Sequence, residues 1–478
     1  MSTRRALVFS YIDRYAALAI AIASSMAIAR LLTPAEIGVF SVTMVLISFT
    51  TTLRDLGSGQ YLVQERELTP DRIRATWTVQ LLTGLVFALV VAAAAWPVSR
   101  FYGEDRMLPI MAVVALNFAV NPFGSMTYAW LMRHMRFETL AVMRVTAAAT
   151  NAAVSISLAW TGWGPISLAV GNLAGTLANA AVATAYRSTE LPWRPGRREL
   201  RRVLAFGSRL SLAGIVRTAA DGAPELLLGK LQGMAAAGFY SRANGLAQMF
   251  NRLMLDAALA VAQPLFARTV REGGDLRWLY LRALSYLCAI GWAFFAGLAL
   301  LAEPTVRLLY GSQWAASVDV TRVLCCVAMM ALPAVVCPVL LTAMGAVGLQ
   351  LRLSLTTSTI TVAGAAAGCL YGLIGTAAGL LVAQSINTGL WLVYTLRQPG
   401  LGAVGLGATL ARSATLAGVT TLVPAAMVAT SGAAAPLWMP VAAAAAGSVV
   451  FIGASVVLRH PIATEWHRLA QHMVRRQT

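Results

Sequence analysis

The amino-acid sequence predicts an all-α polytopic membrane protein of about 14 transmembrane helices, with two repeated halves of six and two further helices after them. Three observations carry that prediction. The first is composition: 58% of the 478 residues are hydrophobic and 12% charged, against about 25% charged in ordinary soluble domains. The second is that long apolar runs recur from end to end and leave no room for a soluble domain. The third is internal repetition. Arg30-Leu-Leu-Thr-Pro-Ala-Glu-Ile-Gly38 returns in outline as Lys230-Leu-Gln-Gly-Met-Ala-Ala-Ala-Gly238, Pro97 to Gly103 returns as Pro304 to Gly311, and Gly164 to Gly171 pairs with Gly375 to Val382. Three ordered echoes at a nearly constant offset imply two similar halves, the construction of alternating-access transporters.

Taken in order, the apolar runs cover residues 9 to 32, 37 to 62, 76 to 97, 107 to 131, 138 to 160, 165 to 187, 204 to 229, 234 to 262, 278 to 302, 318 to 344, 351 to 371, 375 to 396, 404 to 430 and 437 to 458. The first is long and lacks a small-residue cleavage site, so it is expected to remain as a transmembrane helix. The segment Ser188 to Arg202, with two prolines, a glycine and many arginines, reads as a surface linker against anionic lipid. It sets the expected division: residues 1–202 as an N-terminal lobe, 203–400 as a C-terminal lobe, 401–458 as two added helices and 459–478 as a cytoplasmic tail. In that tail Ile462, Trp466, Leu469 and Met473 share one helical face, which suits either an interfacial helix or a solubilising tail. Small-xxx-small spacings at Gly171/Gly175, Gly364/Gly368 and Gly375/Gly379 mark expected close helix crossings.

The net charge of +18 is almost wholly arginine, because Lys230 is the only lysine. Loops on the side of the N-terminus collect most of it, including Arg72, Arg74, Arg133, Arg136 and Arg197, while the opposite loops hold only Arg30, Arg100, Arg106, Lys230 and Arg307. Under the positive-inside rule both termini are expected in the cytoplasm. Such a balance serves membrane topology, and nothing in it calls for nucleic acid. Cys288, Cys325, Cys326, Cys337 and Cys369 lie in apolar stretches without a CxxC pair and read as small core residues. His134, His460, His467 and His472 fall in or beside arginine-rich loops and read as solvated. Neither a metal nor a cofactor is expected.

Ionisable residues inside spanning segments cost about 2.5 to 3.5 kcal/mol on insertion scales and normally face a cavity or one another. Here they cluster: Asp13 and Arg14 in the first run, Arg54 and Asp55 in the second, Arg209, Arg217, Asp221 and Glu225 in the seventh, Arg242, Arg252 and Asp256 in the eighth. The first two helices of each half would thus line a shared space. Arg14 and Arg209 stand near helix ends, where snorkelling serves as well, and Asp13 with Arg14 or Arg54 with Asp55 also fit plain structural pairs. Arg217, Arg242 and Arg252 lie deep in their runs and outnumber the nearby acids. Arginine stays charged and grips phosphate bidentately, so this surplus points to an anionic, phosphate-bearing substrate.

The chain resembles a known family through Ala29 to Gly38, Asp55-Leu-Gly57 with Tyr61-Leu-Val-Gln64, Leu131 to Phe137, Gly238-Phe-Tyr-Ser-Arg-Ala243, Pro264-Leu-Phe266 and Tyr310-Gly-Ser-Gln-Trp314. It is similar to the Wzx-like polysaccharide and lipopolysaccharide flippases of the multidrug/oligosaccharidyl-lipid/polysaccharide superfamily. The resemblance implies two six-helix bundles forming a V around a central cavity. It also implies transfer of undecaprenyl-diphosphate-linked oligosaccharide, an O-antigen or exopolysaccharide repeat unit, across the bacterial inner membrane, with polymerase and chain-length proteins as further partners. Members often carry an aspartate near the end of the seventh helix, whereas this chain has Glu225 after Pro224 and Asp221 one turn earlier, leaving the acidic partner of the arginines open.

Two other functions are weighed against this one. A membrane ligase, polymerase or glycosyltransferase would need acidic or histidine catalysts on a sizeable exterior loop, and the longest such loop, 303 to 317, offers only Glu303 near its start. A multidrug cation antiporter would show an acid-dominated cavity.

Overall fold

Helices occupy the described parts of the apolar runs in the computed structural model, which describes the backbone of residues 3–54, 58–65, 67–431, 436 and 438–465. No strand occurs among the described residues. Among the described residues eleven helices are long and apolar enough to cross a membrane, and the protein is a multi-pass membrane protein. Three of the long helices fall outside that set: α1 (Thr3–Leu31), whose described apolar stretch is Ala16–Leu31, charged α8 (Leu200–Leu231) and α15 (Val347–Cys369), rich in serine and threonine.

The chain forms two compact units, Met1–Gly238 and Phe239–Thr478. In the first, α1 packs on α6 (Phe137–Trp160), α6 on α7 (Ile166–Ala185), and α7 on α5 (Met107–Arg133), which lies against α4 (Pro70–Tyr102). Helix α8 lies on α2 (Pro34–Arg54), α3 (Ser58–Gln64) and α4, so the unit extends well past the linker. Helix α9 (Met234–Phe250) begins in the first unit, which ends at Gly238, and in the second runs through a π-helical turn, Asn251–Leu255, into α10 (Asp256–Glu272). There α11 (Leu276–Leu300) packs on α13 (Ser317–Ala331) and α17 (Leu406–Ser431), α13 on α16 (Gly372–Leu396), α16 on α15, and α17 on α18 (Met439–Val457).

Each sequence echo is a local structure. The first breaks the helix at Leu32-Thr33 and again at Gln232-Gly233, with the next helix starting at Pro34 and at Met234. Thr33 and Glu36 form a reciprocal cap at the first break: Glu36 N–H donates to Thr33 Oγ1 at 3.3 Å, and Thr33 N–H to Glu36 Oε2 at 2.8 Å. The second echo ends in two glycines at positive φ, Gly103 closing α4 and Gly311 closing α12 (Ala302–Tyr310). At the third, the small-residue spacings lie on helix crossings. A Cβ added to Gly171 would stand 1.9 Å from Ser155 Oγ, and one added to Gly368 or Gly379 would meet the carbonyl of Gly375 or Gly364 at 2.2 or 2.1 Å.

Several expectations change. The loop expected over 303 to 317 is mostly helical: α12 is followed by a 3-10 turn, Ser312–Trp314, that buries Trp314. Its apolar residues serve one face only, which a run count misses. The run 318 to 344 is interrupted at Leu332–Ala334 and resumes as α14 (Cys337–Ala343), because Pro333 and Pro338 withhold backbone donors. The linker is anchored rather than loose. Trp77 Nε1 donates to Trp193 O at 3.0 Å, Gly196 N–H donates to Thr78 Oγ1 at 2.8 Å, and the Arg187 guanidinium lies 3.9 Å from the Trp193 ring centroid. Arg133 holds the end of α3, donating to the carbonyls of Leu62 and Glu65 at 2.9 and 2.6 Å. Cys326 is exposed, whereas the other four cysteines are buried.

Candidate functional site

Helix α8 carries Glu225, Arg217 and Asp221, three of the predicted site residues, in the first unit. One face fits against α2. Gly222 and Gly229 bring α8 so near that an added Cβ would stand 2.3 Å from Val45 and 2.7 Å from Val42, and Glu225 falls between them. Glu225 is 8% exposed and accepts a hydrogen bond from the Ser41 hydroxyl of α2, which satisfies the carboxylate where desolvation would otherwise be severe. The next face presents Arg217 and Asp221, four residues apart, with Nε to Oδ2 at 3.7 Å. Their side chains are 84% and 72% exposed. A pair that open contributes little to stability.

Hairpins α1–α2 and α8–α9 meet within the first unit. An added Cβ on Gly38 would lie 1.7 Å from Met234 O, and one on Gly238 would lie 2.0 Å from Pro34 O and 3.1 Å from Gly38 N. The repeat-equivalent glycines are therefore the contact itself, and no other residue fits there without displacement.

In the second unit Arg242 lies beside the 303–317 segment, its guanidinium 5.5 Å from the Tyr310 ring centroid and 5.6 Å from that of Trp314. Arg252 is exposed within the π turn, and Asp256 is exposed at the start of α10. π turns inside helices re-aim side chains and gather at functional positions. Asp13, Arg14, Arg54, Asp55 and Arg209 lie outside the described residues, as does the tail from Trp466. Its start is described: Ile462 is buried with Ala289 and Leu416, docked onto the helices.

Sequence reasoning missed one cluster. His460, read as solvated, is 2% exposed. Its Nε2 lies 3.1 Å from Ser285 Oγ and 3.3 Å from Ser413 Oγ, and its Nδ1 accepts the Ile462 N–H at 3.3 Å. Arg282 nearby donates to Glu465 Oε1 at 2.6 Å and to the Tyr286 hydroxyl at 2.8 Å. The available signal was Arg282 one turn before Tyr286 at the start of a spanning helix.

Residues 27–319 match the family described as Polysaccharide biosynthesis protein, more than half of the chain. The chain belongs to this family. Among relatives of this family member, the succinoglycan biosynthesis transport protein ExoT of Rhizobium meliloti is 25% identical over 60% of this chain and 58% of its own length. The lipopolysaccharide biosynthesis protein WzxC of Escherichia coli is 23% identical over 78% of this chain and 77% of its own. Among solved structures, the lipid II flippase MurJ in an inward closed conformation superposes with TM-score 0.76 at 12% identity, covering 96% of this chain and 100% of that one. An inward-facing MATE family multidrug transporter of the MOP superfamily gives TM-score 0.64 at 16% identity, covering 82% and 94%. The fold of this polysaccharide biosynthesis protein is thus the one these transporters share.

Proposed function

We propose that the protein is a flippase that moves an undecaprenyl-diphosphate-linked oligosaccharide, an O-antigen or exopolysaccharide repeat unit, across the bacterial inner membrane. Membership of the polysaccharide biosynthesis family supports the substrate class, as do relatives named for succinoglycan transport and lipopolysaccharide biosynthesis. The observation that carries the reading is Arg217, midway along α8 and 84% exposed. A guanidinium this exposed at that depth, with only the exposed Asp221 beside it, is tolerated where the helix faces a polar passage, and its fork suits a diphosphate. On this reading the two lobes, each with six spanning helices and two more helices following, form a V around a central cavity. Arg14, Arg54, Arg217, Arg242 and Arg252 bind the headgroup, Asp13, Asp55, Asp221 and Glu225 balance or couple the charge, and both termini are cytoplasmic. Polymerase and chain-length proteins receive the product. The hairpins that meet at Gly38 and Gly238 close the periplasmic mouth, and they separate when the lobes rock.

Replacing Arg217, Arg242 or Arg252 by alanine should abolish glycan export at unchanged membrane abundance, with lysine restoring it only partly for want of the planar fork. Normal export by all three alanine variants would remove the arginine-lined cavity from the mechanism.

A further inference from the structure

A second basic site lies in the Phe239–Thr478 unit, where α18 gives way to residues 458–465. A cavity of about 320 Å³ opens there between α11, α17 and the docked segment, lined by Trp278, Arg282, Ser285, Thr409, Arg412 and Thr464 among others. Its charge is unbalanced. Glu465 takes up Arg282 at 2.6 Å, while Arg412 is paired with no carboxylate among the described residues. Residues 466–478 contain no aspartate or glutamate. His460 adds no charge near neutrality. The Ile462 N–H occupies its Nδ1, so its proton sits on Nε2 and points to the Ser285 hydroxyl. Burial, and then the Arg412 charge, hold its pKa below the ordinary 6.5.

This arrangement leaves donors aimed at the cavity. Ser285 is 2% exposed, and its oxygen accepts from His460, which frees its own hydrogen. The Thr409 and Thr464 hydroxyls donate to Gly405 O at 2.8 Å and Pro461 O at 2.7 Å, so they turn lone pairs rather than protons inward. The donors are therefore the Arg412 fork, the remaining N–H groups of Arg282 and the Ser285 hydroxyl. Trp278, 54% exposed with the Arg282 guanidinium 4.8 Å from its ring centroid, stands at the lip. Amphipathic tryptophan is enriched at headgroup depth.

We propose that this cavity binds one phosphate-bearing anion, either the phosphodiester of an anionic lipid headgroup or free phosphate, and that the anion fastens the segment after α18 to α11 and α17. The test uses the full chain. In one arm, protein is released from nanodiscs containing phosphatidylglycerol, and native mass spectrometry counts the lipids it retains. In the other, inorganic phosphate is titrated into phosphatidylcholine nanodiscs, and amide exchange is followed over residues 461–465. The wild type should keep a tightly held phosphatidylglycerol in the first arm, or gain protection in the second, and the responding arm names the source. Arg412→Gln should weaken that binding roughly tenfold or more, from the worth of charge-assisted hydrogen bonds. Arg412→Lys should fall between, and Thr464→Trp, which fills the cavity while keeping both arginines, should abolish binding. Behaviour of Arg412→Gln and Thr464→Trp indistinguishable from wild type in both arms, with all proteins monodisperse, would overturn the site.

Discussion

Replacing Gly38 or Gly238 by alanine probes whether the hairpin contact is a working element of transport. The added methyl group would stand 1.7 Å from Met234 O in one case and 2.0 Å from Pro34 O in the other, and both obstacles are main-chain carbonyls of helix first turns. No rotamer change relieves such a clash, so a carbonyl must retreat by more than an ångström and the hairpins must part. Overpacking of this kind costs about 1 to 3 kcal/mol, and the backbone obstacle favours the upper end. The helix gains up to about 1 kcal/mol from glycine to alanine, in every state alike, so the gain does not offset the clash in the closed one. A net bias of about 2 kcal/mol corresponds to roughly thirty-fold in the equilibrium between hairpins together and hairpins apart.

Cysteines at Glu36 and Ala236, in a background lacking the five native cysteines, report that equilibrium through disulfide yield, and glycan export reports its consequence. The wild-type pair should cross-link, and the cross-link should block export until reduced. Either alanine variant should cross-link far less and export poorly at normal abundance. Gly418→Ala and Gly453→Ala, where an added Cβ meets nothing within 4 Å, serve as controls and should match wild type. If the Gly38 and Gly238 variants behave like these controls, the contact is incidental and the rocking model loses its closed mouth.

Membrane potential is a second lever. A diphosphate diester carries about two negative charges, so an inside-negative potential of about 100 mV favours its outward movement by about 4.6 kcal/mol. Collapsing the potential in proteoliposomes at zero pH gradient should slow flipping, and an unchanged rate would refute electrogenic transfer. His460 supplies a pH dependence. Its pKa is depressed in the folded protein, with Arg412 of α17 and the nearby Arg282–Glu465 pair as its charged surroundings. Docking of the segment is then fully stable above the ordinary 6.5 and weakens as pH falls from there toward the lower folded value. Amide protection at residues 462–465, taken relative to the intrinsic exchange rate at each pH, should fall between about pH 7.5 and pH 5.5, and it should stay flat across that range in His460→Gln.

Local periodicity was legible in this chain and long-range satisfaction was not. The repeat located both hairpins and both left-handed glycines, because a helix break is dictated by its own few residues, as Thr33, Pro34 and Glu36 show. It also singled out Gly38 and Gly238, although only the fold reveals that these glycines touch each other. Spacing brought Arg217 to Asp221, a pair within one helix. It could not bring Glu225 to Ser41, since that partner sits 184 residues away on α2. Nor could it link Arg242 to Tyr310 and Trp314, although each motif stands out in the sequence on its own. The same limit explains His460. An arginine-rich neighbourhood suggests water, yet the histidine is buried by Ser285, Ser413 and Ile462, drawn from two spanning helices and the segment after the last one. In a membrane protein, buried polar groups are matched mainly across helices, because each helix already satisfies its own backbone. Sequence therefore marks where charge must be accommodated, and helix packing decides which partner it meets, a residue of another helix for Glu225 and a neighbour on its own helix for Arg217.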